Sequence, residues 1–246
     1  MISRRELLAG AGFANAVQVS AQIAKPKRKI KVMVAGGHPG DPEYGCGGTV
    51  ARYTEQGHEA VLLYLNRGDS GYMEKPPAED AALVRMAEAA KACEILKARP
   101  AQAGQFNGRA VVDAAHYEAF QKILEAEQPD VIFAQWPIDS HRDHRAISTL
   151  AYDAWLRMGK KGAFYYYEVS NGEDTLMFHP THYVDITAVE QRKRAACYAH
   201  ASQTPDRYYA LQSQIAKFRG VESGYTQAEA YIRHAQSPYD ALPQDL

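Results

Sequence analysis

Short β-branched runs alternate with longer helical segments along most of this chain, and that alternation leaves few folds open. Residues 29–35 (KIKVMVA) read as a buried strand closed by Gly36-Gly37. A helix over about 47–56 is stopped by Gly57, and residues 59–66 (EAVLLYLN) read as a second strand, which completes a βαβ unit. A long helix over 79–97 follows, with Leu83, Met86, Ala90, Cys93 and Leu96 at helical spacing. Then come a weak strand at 101–106, a helix over 114–127 that ends before Pro129, a clear strand at 130–135, a helix over 144–158 and a strand at 164–169. Past Glu168 the pattern loosens into a strand at 183–185, a helix over 189–198 and a C-terminal helical region. Strands alternating with helices of this length imply an α/β class: a Rossmann-like, mostly parallel sheet with helices on both faces and right-handed crossovers.

At 246 residues and 46% hydrophobic content the chain supports one substantial core, so a single domain over 28–246 is expected. A formal net charge of −1, with Lys and Arg scattered, provides no basic field and argues against a nucleic-acid partner. Cys46, Cys93 and Cys197 lie too far apart for a disulfide framework or a cysteine-type zinc site and read as packing residues. No apolar run approaches the length of a membrane span, so no stable membrane insertion is expected. Residues 1–27 stand apart. Ser3-Arg4-Arg5-Glu6-Leu7-Leu8, an uncharged stretch from Ala9 to Ile23 and a small-residue Val19-Ser20-Ala21 site resemble a twin-arginine export signal, which implies a periplasmic or secreted protein. The other reading is an amphipathic N-terminal helix of a cytoplasmic protein.

Two strand-end loops concentrate metal-competent side chains. One is Gly37-His38-Pro39-Gly40-Asp41-Pro42-Glu43, the other Asp139-Ser140-His141-Arg142-Asp143-His144. In a doubly wound sheet of order 3-2-1-4 the two preceding strands are neighbours, and both loops leave the carboxyl edge where the strand order reverses. Two imidazoles and a carboxylate are a standard ligand set for a catalytic divalent ion, so His38, Asp41 and His144 are the expected ligands and Zn²⁺ the expected cofactor. His58, His116 and His234 read as solvated positions without partners, and His200 as a hydrogen-bonded packing residue or a contact behind the site.

HPGDPEYGCGGT, LYLNRGDSG, RMAEAAKACEIL, WPIDSHRDH, VDIT and HASQ occur in this order between about Lys31 and Gln203. This series resembles the PIG-L/LmbE superfamily of zinc-dependent N-deacetylases. The resemblance implies removal of an N-acyl group, acetyl above all, from an amino sugar or glycoconjugate as the small-molecule partner. It also implies His38, Asp41 and His144 as metal ligands, and His141 as the group that steadies the oxyanion or protonates the amine. The family's pattern, HPDDE or HPDDPE, places a water-activating aspartate where this chain has Gly40. Glycine accepts no proton, which leaves three readings. A neighbouring carboxylate takes the role, with Asp143 first, Glu43 second and Asp139 also within reach. Alternatively the metal alone activates water, or the chain is a metal-binding pseudoenzyme. A nucleotide-binding reading of the Gly-rich turn fails at the motif, because Val50 stands where the third small residue of G-x-G-x-x-G belongs.

Overall fold

A computed structural model of the chain describes residues 28–69, 78–169 and 177–246. The segment read as an export signal lies outside the described residues. The strands are β1 (Lys31–Gly36), β2 (Glu59–Asn66), β3 (Arg99–Gln105), β4 (Val131–Gln135), β5 (Ala163–Tyr167), β6 (His182–Asp185) and β7 (Ala228–Arg233). The helices are α1 (Asp41–Glu55), α2 (Ala78–Leu96), α3 (Ala114–Glu127), α4 (Arg142–Arg157), α5 (Glu190–Tyr198) and α6 (Pro205–Ser223). The strands form one sheet of order β3-β2-β1-β4-β5-β7-β6. β1 to β5 run parallel, whereas β7 pairs antiparallel with both β5 and β6. The expected 3-2-1-4 order is present, and the order reverses between β1 and β4.

Strand periodicity divides the core. Val32, Val34, Leu62, Tyr64, Phe133 and Tyr165 belong to one buried layer with residues of α1, α2 and α5. Met33, Ala35, Val61, Leu63, Ile132, Ala134 and Phe164 belong to the other, with α3 and α4. Successive residues thus face opposite sides and both sides are covered, as a parallel sheet requires.

Several sequence expectations are corrected. α1 starts at Asp41, not near residue 47, because Pro42 suits the first helical turn and Asp41 and Glu43 complement its exposed N–H groups. Gly45, expected before the helix, lies inside it; a Cβ on Gly45 would fall 2.3 Å from the Tyr167 ring, and one on Gly48 2.5 Å from Ile186. The buried face of α2 carries Ala82, Arg85, Ala89, Cys93 and Leu96, so Leu83 is turned outward and 71% exposed. The C-terminal region is not wholly helical. α6 ends at Gly224, and β7 (AEAYIR) then inserts between β5 and β6. Ala and Glu carry little strand preference; Glu229 accepts from the Gly48 and Thr49 amides and from Lys193 Nζ, while Tyr231 is fully buried, so tertiary partners fix this strand. His58 is buried and accepts from the Ile30 amide, and His234 packs its ring on Trp155, so neither is a solvated surface residue. His116 lies in the first turn of α3, where its amide donates to the Asp113 side chain and its ring Nδ1 lies 2.7 Å from the same carboxylate. The three cysteines are buried and free, as expected of packing residues. Among the described residues no helix is long and apolar enough to cross a membrane.

Candidate metal centre

The β1–α1 and β4–α4 loops meet at the reversal of strand order. The Gln135 side chain at the end of β4 accepts from the Gly37 amide at 2.7 Å and ties one loop to the other. Gly37 is needed for the approach, because a Cβ there would lie 2.9 Å from the His144 ring. The result is a triangle of three donor atoms. His38 Nδ1 lies 3.0 Å from Asp41 Oδ2 and 3.2 Å from His144 Nε2, and His144 Nε2 lies 3.1 Å from the same Asp41 oxygen. Donor atoms around a tetrahedral zinc, with ligand distances of about 2.0–2.1 Å, are separated by about 3.3–3.4 Å. The triangle is close to that size.

Proton placement follows from what stands behind each ring. His144 Nδ1 faces Asp139 Oδ2 at 2.8 Å, so Nδ1 carries the hydrogen and the Nε2 lone pair points at Asp41. His38 Nε2 faces Asp143 Oδ2 at 3.2 Å and Asn107 Oδ1 at 3.1 Å, both acceptors, so its hydrogen is on Nε2 and the Nδ1 lone pair points inward. Asp41 is held by the His38 amide, which donates to Oδ2 at 2.8 Å. Two lone pairs and a carboxylate oxygen therefore converge on one point, an arrangement that suits a cation. Without one the charges adjust. Burial opposes protonation of His144, but Asp41 and Asp139 outweigh it and push its pKa up to about 10. His38 is likewise raised against its burial by Asp41 and Asp143. Burial acts to raise the Asp41 pKa, yet the two imidazoles hold it well below the usual carboxylate range.

His141 precedes α4 and is exposed. Its Nδ1 accepts from the Asp143 amide at 3.2 Å, which leaves the hydrogen of the neutral ring on Nε2. Its ring centroid lies 4.6 Å from that of His38, and one ring nitrogen from each of His38, His141 and His144 falls within 4.8 Å of the others. Burial, then the neighbouring His38 and His144, lower its pKa, so the neutral donor form is favoured. Asp143 is fully buried at the start of α4, where Oδ2 collects donors from His38 Nε2, Asn66 Nδ2 and the Gly108 amide. Glu43 is also fully buried, and its Oε1 accepts from the Tyr64 hydroxyl at 2.7 Å and lies 3.0 Å from His200 Nε2. Asp139 uses both oxygens, one on His144 and one on the His141 amide. Gly40 is buried with φ of 113°, a conformation L-residues rarely adopt, and a Cβ there would face the Tyr44 and His200 rings at 3.6–3.8 Å.

Sequence reasoning brought together His38, Asp41, His141, Asp143 and His144. It did not find Asn107, whose Oδ1 faces His38 Nε2, or Asn66, which donates to the Asp143 carboxylate behind it. The available signal was their position: Asn66 ends β2 and Asn107-Gly108 follows β3, both at the carboxyl edge. Tyr165 and Tyr167 of β5 are buried in the core and offer no face to a ligand.

Fold and site together define a Rossmann-like α/β protein with convergent imidazole and carboxylate groups, a set that suits a cation, at its topological switch point. Residues 33–155 match the PIG-L family, described as GlcNAc-PI de-N-acetylase, and the chain belongs to that family. It is 28% identical over 227 residues to diacetylchitobiose deacetylase of Thermococcus kodakarensis, covering 85% of each chain. Its fold is similar to that of N,N'-diacetylchitobiose deacetylase from Pyrococcus horikoshii, with a TM-score of 0.74, 23% identity and coverage of 85% of this chain and 87% of that one. It is equally similar, at a TM-score of 0.74 and 21% identity over 87% of this chain and 100% of the other, to the 4-carboxy-2-hydroxymuconate hydratase of Pseudomonas putida KT2440.

Proposed function

We propose that this protein is a metal-dependent hydrolase that removes an N-acyl group from an amino sugar or glycoconjugate. Family membership and a curated relative that is a diacetylchitobiose deacetylase support N-deacetylation as the reaction class. The same fold carries a hydratase, so the fold alone does not select the reaction. The observation that carries the reading is the triangle of His38 Nδ1, Asp41 Oδ2 and His144 Nε2, with both imidazole lone pairs directed inward by Asp143, Asn107 and Asp139. A divalent ion held by these three residues, zinc on the evidence of the donor set, would supply Lewis-acid polarisation of the amide carbonyl and of water.

The remaining roles belong to the chain's own side chains. His141, exposed and with its hydrogen on Nε2, donates to the oxygen on which charge accumulates as the amide carbonyl is attacked. Asp143 positions His38: three donors converge on its Oδ2, and its burial removes it from solvent. Glu43 braces α1 through Tyr64 and His200. On this reading neither carboxylate replaces the family's base; water activation would rest on the ion, and His141 acts on the developing oxyanion. The pseudoenzyme reading is favoured by one observation, Gly40, and the same experiment decides between the two. Zinc-loaded protein is incubated with N-acetylated glucosamine and chitobiose, and free amine is measured beside His144→Ala. Amine release by wild type and its loss in the variant are expected. Stoichiometric zinc with no amine released would reject the hydrolase and leave a metal-binding protein.

A further inference from the structure

His38, Pro39, Gly40 and Asp41 form a β-turn closed by the Asp41 amide, which donates to the His38 carbonyl at 3.2 Å. The two central residues decide its kind. The Pro39 ring fixes φ at about −65°, which excludes the mirror-image turns. Gly40 has φ of 113° and ψ of −38°. That excludes type I, where φ at this position is about −90°, and leaves the type II kind, with about +80° and 0° there. The first and last residues of the turn supply His38 Nδ1 and Asp41 Oδ2, two of the three converging donors. Types I and II differ by a rotation of the central peptide of about half a turn, so the direction of the Pro39 carbonyl distinguishes them. Arg85 takes that carbonyl, donating from Nη2 at 2.6 Å. The arginine is itself fixed. It is 6% exposed, and Gly68 makes room for it, because a Cβ there would lie 3.1 Å from Arg85 Cγ, Cζ and Nη1. One turn further along α2, Glu88 accepts from the Ser202 amide at 2.7 Å and its hydroxyl at 2.8 Å, which ties the helix to the turn before α6.

We infer that Arg85 is a positioning residue: it holds the Pro39–Gly40 peptide in the type II orientation and so sets how His38 and Asp41 meet an ion, and Gly40 serves this backbone geometry. For zinc this rests on the reading of His38, Asp41 and His144 as ligands. A purely electrostatic role has the opposite sign. The charge of Arg85 is drawn toward Asp41, the carboxylate an ion would share, and a guanidinium and a dication repel each other. On charge alone, removing Arg85 would tighten zinc binding. Loss of the turn would weaken it.

The test is a double-variant cycle of Arg85→Met and Gly40→Ala on the full-length protein, reading zinc affinity by competition with a chelator and, in chelated protein, melting temperature. Arg85→Met removes a hydrogen bond from a charged donor and should weaken zinc binding about 10- to 100-fold. Arg85→Lys, which keeps a charged donor, should recover most of that loss. Gly40→Ala drives the turn away from positive φ and already takes the carbonyl from Arg85, so the pair should bind zinc within about threefold of the weaker single variant. Gly40→Asn, which a type II turn accepts, should bind zinc more tightly than Gly40→Ala, a comparison that stands even if Arg85→Met does not fold. Tighter zinc binding by Arg85→Met, losses that multiply in the pair, or equal losses for Asn and Ala at position 40 would each overturn the inference. If the wild type binds no zinc, the ligand reading fails and melting temperature decides the turn: a shared, non-additive loss supports it, and additive losses reject it.

Discussion

Asp139 stands behind His144, and replacing it by Asn isolates what that carboxylate contributes. In the native arrangement Nδ1–H of His144 donates to Oδ2 at 2.8 Å, while Oδ1 accepts from the His141 amide. Asn can keep the second bond with its carbonyl oxygen, and its NH₂ then faces Nδ1. That contact requires a lone pair on Nδ1, which moves the ring hydrogen to Nε2, the atom directed at His38 and Asp41. The loss comprises one hydrogen bond to a charged group, worth about 1.5–3 kcal/mol, and agrees with the 10- to 100-fold effects typical of partners behind a metal ligand. Asp139→Asn should therefore weaken zinc binding by about 10- to 100-fold in competition with a chromophoric chelator, with an unchanged circular-dichroism spectrum. Zinc affinity within twofold of wild type in a folded variant would refute the tautomer argument.

Asp143→Asn should lower zinc affinity and turnover together if Asp143 positions His38, and turnover alone at constant zinc if it is the base; Glu43→Gln should leave turnover of the folded fraction within a few-fold of wild type. Gly40→Ala places a side chain at a φ of 113° and should cost about 1–3 kcal/mol, read as a fall in melting temperature, and Gly40→Asp should lose similar stability without gaining rate. In chelated protein His144, raised from 6.5 to about 10, contributes stability that is fully present below pH 6.5 and lost as pH rises through 10, so the melting temperature should fall across that interval; a flat profile would contradict the pairing with Asp41 and Asp139. We further propose export through the Arg4-Arg5 segment, and replacing both by Lys should hold the precursor inside the cell, whereas equal export of the double variant would reject it.

The convergence of His38, Asp41 and His144 was legible because it depends on local rules. Strands ending in Gly36 and Gln135 announce loops at the carboxyl edge, and the βαβ pattern brings those loops together whatever the details of packing. The groups behind His38 were not legible, because Asn107 and Asp143 reach it from two different connections and Asn66 reaches Asp143 from a third, and their convergence is a tertiary fact. Gly40 was legible as a departure from the family's pattern, but its backbone conformation was not, since only the structure shows that Cβ would face Tyr44 and His200 instead of open solvent.

The misassigned face of α2 shows how a site can override a pattern read from hydrophobicity alone. Leu83, Met86 and Ala90 are an acceptable apolar stripe, yet the helix turns Arg85 inward, with Ala82 and Ala89 above and below it. Arg85 reaches the Pro39 carbonyl at 2.6 Å, and its charge is drawn toward Asp41, Glu88 and Glu43 even though burial lowers its pKa. A charged group that anchors the loop of His38 and Asp41 thus occupies the position periodicity would give to a hydrophobe. One consequence is geometric: each residue of a helix is rotated by about 100° from the last, so admitting Arg85 to the interior swings Leu83 and Val84 outward. The exposure of Leu83 and Val84 and the burial of Arg85 are therefore two results of the same helix rotation.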